Sequence, residues 1–487
     1  MRKFYYLLAV VAVAAISCQQ EVTYTRTQTE HENISMSNSQ VIPIEEALAN
    51  LDEAIEEIYP NTRAQAQPQY SKEDIILFTP PATTRSNANV EIPDTLIYIV
   101  PFEESGYAIL GAQRSISPIY TITEFGEFDI EKFSKALEDD INNNFLTEEE
   151  YQQRLADLNE ESDYDYSVAA NPTDMAYALT ANVIIGDLIG DDPVILDPTI
   201  PNPGDLDEPG PLIRYTETIE SFDIIEHCEP LTTTLWDQEE PFNLLCKDSN
   251  GNLCYTGCTV TAVAQILAYH EYPVNPVFNG VTIDWDIVKS YSLYDYDSEY
   301  EINNIDLETD AVANQLANLF EGLGDEDYCD VKYSTSGSSS TINKAKNAFE
   351  KLGYKNLDIR LGFGEADREV AYNQIRNNRL IHMRGYLVGS GGHAWVVDGF
   401  VIRRPKTTTI TYYTDGTTKT EVSYGESQEL IHINWGWSGL HNGYFVAKSN
   451  IDTDNRYVDV TDSSHSIDTR GSRRHYNVSF KMLTYSL

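Results

Sequence analysis

The sequence predicts an α+β protein: a small α+β unit, then a larger domain in which a helix bearing Cys258 faces an antiparallel sheet. Three observations predict it. A run with helical spacing at 44–58 is followed by three strand-like runs between 95 and 125. Six prolines then gather among Asp and Gly in residues 183–211. Beyond them, a buried-helix pattern opening at Cys258 precedes aromatic and glycine-rich strand segments around His393 and Asn434.

In the first unit, Ile44, Ala47, Leu48, Leu51, Ile55 and Ile58 fall on one helical face and Pro60 stops the run. Thr95–Phe102, Tyr107–Ala112 and Pro118–Phe125 read as an antiparallel meander, with Ser105-Gly106 at its first turn. Phe133, Leu137 and Ile141 mark a helix, and Tyr151, Leu155 and Leu158 another. These boundaries predict a signal at 1–17, a flexible tether at 18–40, an α+β unit at 41–180, an exposed linker at 181–211 and a large domain at 212–487.

Composition narrows the function. Of 487 residues, 41% are hydrophobic, enough for a packed core. Lys and Arg number 33 against 77 Asp and Glu, a net charge of -44, which argues against nucleic acid as a partner because phosphate binding needs basic clusters. Arg2 and Lys3 precede the apolar run Tyr5–Ile16, a secretory signal too short to span a bilayer well. It ends Ala15-Ile16-Ser17-Cys18, which resembles a bacterial lipoprotein signal; that resemblance implies lipidation of Cys18, attachment to the membrane through an N-terminal lipid, and a cell-envelope location at the outer membrane or cell surface. The alternatives are ordinary cleavage with secretion, or release after processing. Six cysteines less Cys18 leave Cys228, Cys246, Cys254, Cys258 and Cys329, an odd number that flags one free thiol in an exported chain. Cys246 and Cys254 are close enough in sequence to pair across a loop.

Four blocks carry chemistry. Gly257 and Cys258 open a run in which Val260, Val263, Ala264 and Leu267 are spaced for a buried helix; a helix N-terminus favours a thiolate, the competent nucleophile. Gly389 to Phe400 crowds glycines ahead of His393, which then leads into a strand and can direct its ring at a facing helix. In the block Ile431 to Phe445, Asn434 can hold an imidazole in one tautomer and Trp435 can shield that bond. In the block Leu235 to Leu245, Gln238 offers a side-chain amide as an oxyanion donor beside the backbone N–H of Cys258. Each block alone has a structural explanation, but four of the chain's five tryptophans fall inside them, and their order is Gln, Cys, His, Asn.

That order is the order of papain-like peptidases, and the segments resemble those of the streptopain family. Thr256-Gly-Cys258 with Ala264 to His270 is similar to its nucleophile segment, Gly392-His393-Ala-Trp-Val-Val-Asp398-Gly399 to its histidine segment, His432-Ile-Asn434-Trp435-Gly-Trp437 to its third segment, and Trp236-Asp237-Gln238 to its glutamine segment. The resemblance covers residues 230–450. It implies a papain-like fold and an endopeptidase acting on protein or peptide substrates, with Cys258 as nucleophile, His393 as base, Gln238 at the oxyanion, and Asn434 or Trp435 orienting the ring. It also implies substrate contacts at Ser338 and Gly392, a zymogen with a streptopain-like propeptide as its own intramolecular inhibitor, and no cofactor. HExxH and paired CxxC patterns are missing, so no metal is predicted. Two other readings are a transglutaminase-type Cys-His acyltransferase, which normally uses Asp as third member, and a catalytically inactive surface binding protein, which has no use for an intact Cys258/His393 pair.

Overall fold

The computed structural model describes residues 41–59, 67–79, 94–114, 116–143, 172–189, 213–291, 307–387, 391–448 and 478–487. Cys18, the predicted signal and tether, the helix predicted over Tyr151 to Leu158 and residues 190–211 of the predicted linker lie outside them. Residues 40–487 form one compact unit.

The first helix spans Ile44–Ile58 and buries Ala47, Leu48, Leu51, Ala54, Ile55 and Ile58, the face that the spacing predicts. After the short strand β1 (Ile76–Phe78), the predicted meander is β2 (Ile97–Pro101), β3 (Tyr107–Gly111) and β4 (Ile119–Thr123), paired antiparallel with Ile99 opposite Ile109 and Ala108 opposite Ile122. Helices Ile130–Asn143 and Pro172–Ile189 follow. The second runs across the predicted boundary at 180 to Ile189 and buries Ala181, Ile184 and Ile185 in the meander's own core. The prolines that suggested a linker begin only at Pro193, and the apolar stretch ahead of them has surface to bury.

The remaining strands are β5 (Ile213–Cys228), β6 (Val277–Phe278), β7 (Val281–Thr282), β8 (Lys355–Leu361), β9 (Ile381–Leu387), β10 (Gly391–Tyr413), β11 (Thr418–Tyr424), β12 (Gln428–Asn434), β13 (Gly443–Lys448) and β14 (Val478–Ser486). Apart from the β6–β7 pair they join the meander in one antiparallel sheet, ordered β1-β2-β3-β4-β13-β12-β10-β9-β14-β8, with β5 and β11 also paired to β10. The two parts that composition separates therefore share a sheet. Strand β4 pairs with β13 through Thr121–Phe445, Ile122–Tyr444 and Thr123–Gly443, which satisfies an edge that β4 would otherwise expose. They also share a core, since Val401, Leu430, Tyr444 and Val446 pack with the meander and its helices.

The helix Cys258–His270 is buried from Cys258 through Ala268. Val260, Val263, Ile266 and Leu267 lie in a core with Trp236, Phe320 and Val396, and burial of each contributes on the order of 1.5–3 kcal/mol. Gly436 lets the turn after β12 approach this helix: its φ is +68°, and a Cβ there would stand 2.9 Å from Thr261 Cγ2. The result is a Cys-bearing helix against an antiparallel sheet, as the sequence predicts. Among the described residues, no helix is long and apolar enough to cross a membrane.

Candidate active site

Cys258 is the first residue of its helix, behind Gly257 at φ +92°, a left-handed conformation that suits glycine. The first N–H groups of a helix have no partner within it, so this end presents donors and a positive dipole to the sulfur. Burial alone raises the thiol pKa. The charge and side chain of His393, then Arg384 and the Ala394 N–H, outweigh it and bring the pKa down to about 7. Burial pushes Cys246 and Cys329 up to about 12, and Cys228 and Cys254 are also raised. Cys258 alone among the five combines a lowered pKa with an adjacent imidazole. Cys246 and Cys254 are free thiols, joined through the backbone by a 2.9 Å bond from the Cys254 N–H to the Cys246 carbonyl.

His393 stands on β10, paired through Gly385 to β9, and is fully buried. Its Nε2 lies 2.8 Å from the main-chain carbonyl oxygen of Trp435. A carbonyl only accepts, so Nε2 carries the hydrogen and Nδ1 is left as the acceptor. Nδ1 has no hydrogen bond of ordinary geometry, although the ring interacts with the thiol; such contacts commonly tighten when substrate binds. Tryptophans enclose the ring, with the Trp395 and Trp435 centroids at 6.3 and 6.0 Å.

Of the two residues left open as third member, Trp435 meets the histidine, and it does so through its backbone. The Asn434 amide does not reach His393. Its Nδ2 donates to the Thr234 carbonyl at 2.7 Å and its Oδ1 accepts from the Gly436 N–H at 3.0 Å. Asn434 thus ties the strand end to the segment that carries Gln238. Trp435 is itself held by Asn442 Oδ1 on its N–H and by the His441 carbonyl on its indole, both at 2.9 Å.

Gln238 is 1% exposed, and its Nε2 is a buried donor with no partner. Its main-chain carbonyl accepts from the Thr256 N–H at 3.0 Å, two residues before the nucleophile. An unmet donor so placed suits an oxyanion. Replacing Gln238 by alanine is expected to lower kcat by roughly 10²–10³ while leaving the rate of thiol alkylation nearly unchanged, measured on the same preparation.

Ser338 is buried and turned into its own loop, where its Oγ accepts from the Ser334 N–H at 3.2 Å; its carbonyl would stand 3.2 Å from a Cβ on Gly257. It forms the wall beside the helix start. Gly392 is buried next to Arg384, whose Nη2 would lie 3.3 Å from a Cβ there. Sequence reasoning missed Arg384. It lies on β9 opposite Ala394, donates from Nη1 to the Ser340 carbonyl at 2.9 Å, and adds positive charge near the sulfur. Its one signal was an arginine inside the largely apolar stretch Ile381–Leu387, which also holds His382.

Residues 236–445 match the Peptidase C10 family. Streptopain from Streptococcus pyogenes is 25% identical over 245 residues, which cover 43% of this chain and 52% of streptopain. The thiol protease/hemagglutinin PrtT of Porphyromonas gingivalis is 26% identical over 235 residues, 43% of this chain and 22% of that protein. The chain thus spans about half the length of the streptopains it matches. Among solved structures, a fragment of prointerpain A from Prevotella intermedia covers 81% of this chain and 97% of its own, at a TM-score of 0.42 and 16% identity.

Proposed function

We propose that this chain is a cysteine endopeptidase, made as a zymogen, that hydrolyses protein peptide bonds through an acyl-enzyme. The observation that carries the reading is one buried thiol, at a helix N-terminus, whose pKa is brought down to about 7 beside an imidazole with its far nitrogen anchored. His393 Nδ1 takes the proton from Cys258 Sγ, and the thiolate attacks the peptide carbonyl. The new oxyanion lies between the Cys258 N–H and Gln238 Nε2. The imidazolium then gives its proton to the leaving amine, and water, deprotonated by the same ring, releases the acid. The match to the Peptidase C10 family over 236–445 supports this chemistry.

The segment from 41 to 180 acts as an intramolecular inhibitor in this reading, removed by cleavage in or just after the linker that follows it. Its last helix packs Met175, Ala176 and Leu179 into the same core cluster as Trp395 and Trp435, the tryptophans around His393. Thr173 Oγ1 meets His441 Nε2 at 2.9 Å, and Glu124 faces His432 Nε2 at 3.7 Å. Burial opposes a charge on His432, but Asp398 and Glu124 outweigh it and raise its pKa to about 10, so the ring is cationic at neutral pH. The segment at 1–17 is a signal, lipid on Cys18 tethers the protein to the membrane, and the enzyme works at the cell envelope or is released from it by processing.

The test is hydrolysis of casein by purified full-length protein under reducing conditions, followed over time by gel and N-terminal sequencing. The expected result is conversion to a fragment that begins in or just after the linker, with casein hydrolysis rising as it accumulates. If neither the intact chain nor a form cut in the linker hydrolyses casein, the reading fails.

A further inference from the structure

A cavity of about 340 Å³ has a lining that includes Asp237, Glu239, Glu240, Asn243, Cys254, Tyr255 and Thr335. Its walls come from the segments that build the reaction centre. Asp237 and Glu239 flank Gln238, Tyr255 stands three residues before Cys258, and Thr335 belongs to the loop that brings Ser338 against Gly257. Tyr255 is stacked on Trp437 with ring centroids 6.0 Å apart.

The charged groups in this lining are all acidic. Asp237 is occupied: its Oδ1 accepts from the Gln238 and Glu239 N–H groups, and its Oδ2 from Ser438 Oγ. The Glu239 side chain interacts with the Tyr255 side chain, and among the described residues neither Glu239 nor Glu240 has a Lys or Arg partner within ion-pair distance. Asn243 supplies an independent sign of a missing ligand. It is 6% exposed, and its Nδ2 donates to the Cys254 carbonyl at 3.0 Å, which fixes the orientation of the amide. Its Oδ1 is thereby left buried with no partner.

We infer that this cavity is the subsite for the residue whose carbonyl is attacked, and that it takes a basic side chain, lysine or arginine. The inference rests on the peptidase reading. In that reading the attacked carbonyl sits between Cys258 and Gln238, and the cavity's lining comes from the residues on either side of Gln238 and from those just ahead of Cys258. Guanidinium and ammonium groups only donate hydrogen bonds, which matches two carboxylates and a lone amide oxygen. A glutamate in the same place would be repelled, and an aliphatic side chain would leave the acceptors unmet.

The preference has a consequence for the chain itself. Between Arg154 and Arg214 the sequence contains no lysine or arginine. The proline-rich stretch is thus a poor substrate for its own active site, and the first acceptable bond follows Arg214, exposed at the start of β5.

The test compares kcat/KM of the self-processed enzyme for four peptides that differ only in the residue before the scissile bond: Arg, Lys, Gln or Glu. Arg and Lys are expected to exceed Gln by roughly 10-fold or more, with Glu slowest. In the E239Q/E240Q double variant the Arg-to-Gln ratio is expected to fall toward one. Each ratio is taken within one preparation, so incomplete folding of the variant does not distort it. Equal rates for Arg and Gln in the wild type, or a ratio that survives in the double variant, would overturn the subsite. If no peptide is cut and Cys258 is not selectively alkylated, the peptidase reading itself has failed.

Discussion

Replacing Cys258 by alanine is expected to abolish peptide hydrolysis and self-processing, a loss on the order of 10⁶ in kcat, while the protein stays folded. The sulfur is the only atom of this chain that forms a covalent bond with substrate in the mechanism, so its removal leaves no nucleophile. The fold does not depend on it. Alanine has the highest helix propensity, the helix behind residue 258 is held by ten further buried positions, and the thiol forms no disulfide. Activity assays on the wild type and the variant, beside their thermal melts, check both halves. A variant that still converts itself would show that another group does the chemistry, and one that unfolds would show a structural cysteine.

Replacing His393 by alanine is expected to cost roughly 10⁴-fold or more in kcat/KM, with a change in pH dependence that truncation elsewhere would not produce. The imidazole is the chief group that draws the Cys258 pKa down, against burial that pushes it up. Without the ring, burial dominates and the pKa rises. The thiolate population at neutral pH then falls, and the alkylation rate, which follows thiolate, needs more alkaline solution to reach its plateau. Loss of activity with an unshifted alkylation profile would mean that His393 serves the leaving group but does not set the state of the thiol.

The sequence made some of this legible and hid the rest for identifiable reasons. The helix Ile44–Ile58 was readable because its apolar spacing and Pro60 are local signals. Cys258, His393 and Gln238 stood out through local pattern and chain order; the Cys258 thiol interacts with His393, and the Gln238 main chain is bonded to Thr256, two residues before the thiol. The His393 anchor was hidden because a main-chain carbonyl has no residue signature; Asn434 looked like the partner by side-chain chemistry, while the Trp435 backbone lies at the right register past the end of β12. Arg384 was hidden because its role comes from strand pairing across β9 and β10. The union of meander and large sheet through β4 and β13 joins residues more than 300 positions apart, beyond any local pattern.

The central claim is that one thiol among the five that follow Cys18 is held as a nucleophile by His393, and iodoacetamide alkylation of the intact chain, mapped by mass spectrometry from pH 5 to 10, tests it most directly. Cys258 should label fastest at neutral pH, with a half-maximal rate at about pH 7 that moves up in the H393A variant, although Cys228 is more exposed. Faster labelling of Cys228 at neutral pH, or a Cys258 profile that H393A leaves unchanged, would contradict the account.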